Sequence, residues 1–227
     1  ERLERALAYM GLASRREAKD LIKKGLVRVN GTTIYESGYG IIPGTDIVTL
    51  RDHAITPKEA MLVYKPRGIE TSKTNPENKD IHDRLPALAH LAPIGRLDKD
   101  SEGLIILSND GTLARAMTKE NSTVEKEYVV EVREQVTPEA VQRLASGIML
   151  DKIKTKPAIV KKLSKSSFSI VLTEGRKHQI RRMCDACHLT IESLTRTRIG
   201  HLTIGSMKPG FVKRISTTDS ELLKKGK

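Results

Sequence analysis

The stretch "GRLDKDSEGLIILSNDG", residues 95–111, sets four acidic side chains around an unbroken apolar run. The run Leu104 to Leu107, closed by Ser108, reads as a buried strand. Asp100, Ser101, Glu102 and Gly103 form a polar turn feeding it, where local hydrogen bonding is the ordinary work of Asp and Ser. Asp110 precedes Gly111 and a short amphipathic helix carrying Leu113, Ala116 and Met117, so its carboxylate is placed to cap exposed amides. Asp98 stands apart: Gly95 frees the backbone, Arg96 sits two residues before it, and Leu97 between them is an inward anchor. A carboxylate beside a guanidinium is favoured in its charged form, which suits a nucleophile rather than a proton donor. On these residues alone the pair reads first as a structural salt bridge.

Working outward, MLVYKP (61–66) is a short apolar strand whose end is Lys65-Pro66, and KEYVVEV (126–132) alternates with Tyr128, Val130 and Val132 on one face. Thr137-Pro138 opens a helix that stops at Gly147. FSIVLTEG (168–175) is a further strand and QIRRMCDACHL (179–189) a helix. Strands in this order with occasional helices predict an α+β domain around a mixed or antiparallel sheet. CDACH, 184–188, matches a haem-attachment spacing. Yet Ile180, Met183, Cys184 and Cys187 share one apolar helical stripe, where free cysteine packs as a small hydrophobe. No metal or cofactor is expected.

The first fifty residues have a different pattern. Leu3, Ala6, Leu7 and Met10 recur at helical spacing up to Gly11, and Ser14 with Glu17 makes a capping box for a second helix closed by Gly25. Ala18, Leu21 and Ile22 share one face of that helix while Arg16, Lys19 and Lys23 share the other. LVRVNGTTI then turns on Asn30-Gly31, a tight-hairpin signal. The chain thus divides into a small module (1–49), a polar linker (50–60) and a larger domain (61–227).

The 227 residues carry 40 Lys and Arg against 28 Asp and Glu, a formal charge of +12 that attracts polyanions. Nucleic acid is the leading partner, ahead of an anionic membrane surface. No stretch approaches the roughly 18 consecutive apolar residues of a membrane span, and the charged ERLERALAYM is no secretory signal, so a cytoplasmic protein is expected. Aromatics make up 3% with no Trp, against a stacking platform for single strands.

The pattern from Ser14 to Gly31, S-R-R-E-A through V-N-G, resembles the S4 RNA-binding domain. That resemblance implies RNA contact by Ser14, Arg15, Arg16, Lys19, Lys23 and Arg28. KPRG (65–68), GRLDKDSEG (95–103), KEYVV (126–130) and EGRKHQIRRM (174–183), in this order, resemble the pseudouridine synthases. More narrowly they resemble the RsuA-type branch that carries an N-terminal S4 domain and modifies ribosomal RNA, nearest its large-subunit type F. The resemblance implies that Asp98 is the catalytic aspartate, acting on a uridine flipped out of the RNA. It further implies that Tyr128 stacks on that base, that Arg181 pairs with Asp98, and that Arg96 holds the extruded nucleotide or fills its place. Lys65, Arg176, Lys177, His178 and Arg182 are expected to contact RNA, and a monomer acting on 23S RNA or an assembling ribosomal particle is expected. Two rivals remain on the residues alone. One is a non-catalytic S4-type RNA-binding or ribosome-assembly protein, which has no need of Asp98, Tyr128 and Arg181 together. The other is a glycoside hydrolase pairing Asp98 with an acid such as Glu102, against which the basic charge and the few aromatics count.

Overall fold

The computed structural model describes residues 1–10, 12–13, 15–51 and 58–226. Ser14 and Gly11, expected to cap and to stop helices, lie outside them, as does most of the expected linker. The N-terminal module consists of helices α1 (Leu3–Tyr9) and α2 (Arg15–Lys23) on strands β1 (Val27–Val29), β2 (Thr32–Ile34) and β3 (Val48–Leu50). Leu3, Leu7, Ala18, Leu21, Ile22, Val27 and Val29 form its core, while Arg15, Arg16, Lys19 and Lys23 stand exposed along α2. Asn30 and Gly31 take φ of 51° and 81°, the left-handed pair a two-residue hairpin turn requires. The sheet has one strand more than the hairpin: β3 pairs antiparallel with β1, in the order β2-β1-β3.

The larger domain is built on a nine-stranded sheet. Its strands are β4 (Ala60–Lys65), β5 (Ala92–Ile94), β6 (Glu102–Ser108), β7 (Lys126–Val132), β10 (Ile159–Lys162), β11 (Ser167–Leu172), β12 (Ile191–Ile199), β13 (Leu202–Thr203) and β14 (Val212–Arg214). A separate hairpin is formed by β8 (Met149–Leu150) and β9 (Ile153–Lys154). The helices are α3 (Ile81–Arg84), α4 (Gly111–Thr118), α5 (Pro138–Ser146), α6 (Gln179–Asp185) and α7 (Thr217–Lys224). The main order is β10-β11-β7-β12-β6-β4-β14, antiparallel except for the parallel β12–β6 pair, so the sheet is mixed.

The apolar run in β6 has a simple cause. Leu104 and Ile106 join a cluster with Leu113 and Met117 of α4 and Leu223 of α7, whereas Ile105 and Leu107 join Val63, Ile81, Leu91 and Leu97 on the opposite face. Both faces of the strand are covered, so alternation is lost. Asp110 caps α4 as expected, accepting from the Thr112 amide and pairing with Lys224 at 2.9 Å. Burial pushes its carboxyl up, but the Lys224 and Thr112 bonds outweigh it and hold the group at about 2. Thr137 and Gly147 bound α5. The last helix expectation needs correction: α6 stops at Asp185, and Cys187 follows in a turn ending at His188, whose φ is 57°. Cys184 and Cys187 still pack in the core, and burial pushes the Cys184 thiol up to about 12.

Candidate active site

Asp98 lies in the loop between β5 and β6, which is pinned at several points. Gly95 turns it with φ 75°, Leu97 is buried, and the Thr71 hydroxyl donates to the Leu97 carbonyl at 2.7 Å while accepting the Leu97 amide at 2.9 Å. The Gly68 amide donates to the Lys99 carbonyl, and the Ser101 amide to that of Asp98. Gly68 of the K-P-R-G segment and Thr71 just beyond it therefore brace the Asp98 loop.

Lys65 holds its own segment in shape from within and corrects an expectation. It is 0% exposed, with Nζ donating to the Pro66 and Ile69 carbonyls at 2.9 and 2.8 Å, so it makes no surface contact with RNA. Burial holds its ammonium down at about 8, against the pull of Asp98, Glu102 and Asp100. A sequence ending a strand in Lys-Pro gives no sign that the lysine turns inward.

At the open side, Arg181 Nε stands 3.8 Å from Asp98 Oδ2, and its Nη2 donates to the Asp100 carbonyl and the Ser101 hydroxyl. His178, expected only to touch RNA, places Nε2 at 3.6 Å from Asp98 Oδ1. It reaches there because residue 178, the N-cap of α6, adopts a left-handed φ of 51°. Of the remaining acids, Glu102 accepts from the Tyr64 hydroxyl and the Thr195 hydroxyl, both at 3.2 Å, and so is occupied within the sheet.

Tyr128 of β7 packs half-buried against the cluster that also buries Leu97, which puts it on the Asp98 side of the sheet. Sheet register sets its neighbours. Lys65 pairs with Gly103, Gly103 with Arg196, and Arg196 with Tyr128, making one row across β4, β6, β12 and β7. Gly103 has φ 106°, and a Cβ there would lie 2.3 Å from the Arg196 carbonyl oxygen, so only glycine fits. Arg196 is 4% exposed, with Nε donating to the Leu104 carbonyl at 2.6 Å and Nη1 to the Tyr128 hydroxyl at 3.5 Å. Sequence reasoning passed over Arg196, since an arginine in TRTR carries no mark of burial. Lys126 is also held at about 8, first by burial and then by Arg196.

The other expected RNA contacts are dispersed. Arg96 and Lys177 are exposed. Arg176 donates to the Ile153 and Lys154 carbonyls and ties the β8–β9 hairpin to the loop holding His178, while Arg182 of α6 pairs with Asp151 of the hairpin turn. Arg28 is half-buried in β1. Arg15, Arg16, Lys19 and Lys23 belong to the N-terminal module and take no part in the Asp98 cluster.

Comparison with known proteins bears on this arrangement directly. Residues 59–186, which hold Asp98, Tyr128 and Arg181, match the RNA pseudouridylate synthase family, and residues 1–47 match the S4 domain. The chain belongs to the RNA pseudouridylate synthase family. The synthase is 33% identical to the ribosomal large subunit pseudouridine synthase B of Bacillus subtilis (strain 168), over 99% of this chain and 96% of that protein. It is 35% identical to the dual-specificity RNA pseudouridine synthase RluF of Escherichia coli (strain K12), over 98% of this chain and 77% of that one. A crystal structure of a pseudouridylate synthase superposes with a TM-score of 0.74 at 27% identity, covering 98% of this chain and 99% of that one. This synthase is accordingly an isomerase, with an S4 domain ahead of an α+β catalytic domain.

Proposed function

We propose that this synthase isomerises one uridine of ribosomal RNA, large-subunit RNA first, and that Asp98 is the group that meets the sugar. The observation that carries the reading is a carboxylate in a braced loop, part-exposed, with Arg181 and His178 at its two oxygens and Tyr128 on the same side of the sheet. The choice of RNA is supported by the relative named for the ribosomal large subunit.

The uridine leaves its stack and enters the space beside Asp98. The N1–C1′ bond breaks with its electron pair passing to the uracil, and the Asp98 carboxylate meets the positive charge at C1′ or bonds covalently there. The uracil turns and C5 bonds to C1′, any Asp98–C1′ bond breaking with its electron pair returning to the carboxylate; the C5 proton passes to solvent and N1 takes one up, so the product is an isomer of the substrate. Arg181 holds the Asp98 loop in place through Asp100 and Ser101, Tyr128 stacks on the turning base, and Arg96 holds or replaces the extruded nucleotide. Residues 1–49 dock the RNA through the cations of α2, residues 50–60 link, and residues 61–227 carry the chemistry. The protein acts as a monomer in the cytoplasm, where ribosomal RNA is made.

The test is to incubate the protein with large-subunit RNA and map carbodiimide adducts by primer extension. One new stop at a single uridine is expected. No stop on large-subunit RNA, small-subunit RNA or ribosomal particles contradicts the reading and leaves an S4-type RNA-binding protein without activity.

A further inference from the structure

Arg196 and Arg198 lie two residues apart on β12, yet only one has its charge answered. Arg198 pairs with Glu127 and Glu125, both at 2.9 Å. Arg196 is buried, pairs with no carboxylate among the described residues, and leaves Nη2 buried with no hydrogen-bond partner. A buried guanidinium in this condition is unfavourable for folding, since both its charge and its donors have left water. Its surroundings compound the cost, because the same charge presses down on the ammonium groups of Lys65 and Lys126. The fold nevertheless provides for it. Gly103 gives up its side chain to let the Arg196 backbone approach, and the register of β12 on β7 shifts between Arg196 and Arg198. Such irregularities re-aim side chains near active sites.

What Arg196 does hold is Tyr128. Its Nη1 donates to the Tyr128 hydroxyl, its guanidinium carbon stands 6.0 Å from the ring centroid, and its Nε is anchored on the Leu104 carbonyl of β6. We propose that Arg196 is the positioning residue of this synthase, fixing the ring and the hydroxyl of Tyr128 for the turning base. The inference rests on the function proposed above. One planar fork bonded to both β6 and Tyr128 sets the ring against the strand that follows the Asp98 loop, so the base platform and the carboxylate share one frame. With the oxygen lone pair of Tyr128 engaged by Arg196, its O–H is left to point towards the substrate.

The experiment is a double-mutant cycle on the single-turnover rate of tritium release from C5-labelled RNA. Arg196→Lys retains the charge but not the two-pronged donor geometry. It is expected to slow release by about tenfold or more in the presence of Tyr128, and by less than about threefold in Tyr128→Phe. The KM for RNA is expected to stay unchanged, since a buried arginine touches no phosphate. Equal losses in both backgrounds overturn the proposal, because a purely structural role does not depend on the hydroxyl. Where Tyr128→Phe is too slow to read, the 13Cζ resonance of Tyr128 decides: displacement in Arg196→Lys supports the proposal and an unmoved line overturns it. Should Arg196→Lys fail to fold, Arg196→Gln takes its place in both measurements. Absence of any release by the wild type overturns the proposed function itself and this inference with it, whereas an active wild type with an additive cycle overturns the inference alone.

Discussion

Lys65 sits wholly inside the protein, its ammonium held by two carbonyls and kept at about 8 by burial. Removing it by Lys65→Ala opens a cavity and strips both carbonyls of their donor, which is expected to cost about 2–4 kcal/mol in urea unfolding. Its titration has a defined sign. The unfolded lysine keeps its proton up to about 10.5 while the folded one loses it from about 8, so the unfolded state binds more protons in that interval and stability rises with pH. Lys126 acts in the same window, and the buried thiols of Cys184 and Cys187 act oppositely above 9, so the wild type alone does not isolate the effect. The difference between wild type and Lys65→Met does: it is expected to move in favour of the wild type as pH rises from about 8 to 10 in urea titrations. A pH-independent difference contradicts the buried placement.

At the scale of elements, the site depends on the contact between β6 and β12. Gly103→Ala forces a Cβ against the Arg196 carbonyl at a φ that side chains avoid, and about 2–4 kcal/mol of lost stability is expected in urea unfolding, together with loss of activity. The sequence made β6 legible because four successive apolar residues serve two clusters, and it made the Asn30-Gly31 turn legible because few other pairs accept two positive φ values. It concealed β12, whose pattern of I-E-S-L-T-R-T-R-I is broken by register shifts and whose buried Arg196 looks like a surface cation. It also concealed β3, since the partner strand β1 lies far away in the chain and no local turn joins them. The Asp98 loop could be read from Gly95, Arg96 and Leu97; the approach of His178 could not, because it arises from a left-handed residue at the start of α6.

Over the whole molecule, a formal charge of +12 is divided between the S4 domain and the catalytic domain. The two meet where α1 packs on α4, with the Arg115 guanidinium 4.6 Å from the centroid of the Tyr9 ring. Binding to RNA is expected to weaken steeply with salt. Replacing Arg15, Arg16, Lys19 and Lys23 by Gln is expected to flatten the dependence of log K on log salt by about 0.7–0.9 for each phosphate that α2 then leaves unneutralised. Filter binding across a salt series measures this, and an unchanged slope contradicts docking through α2. The chemistry itself turns on one carboxylate, that of Asp98. Tritium release from RNA labelled at uridine C5, compared between wild type and Asp98→Asn at equal RNA occupancy, is the decisive measurement. Release by the wild type and none by the variant is expected; release by Asp98→Asn at the wild-type rate excludes this carboxylate from the chemistry.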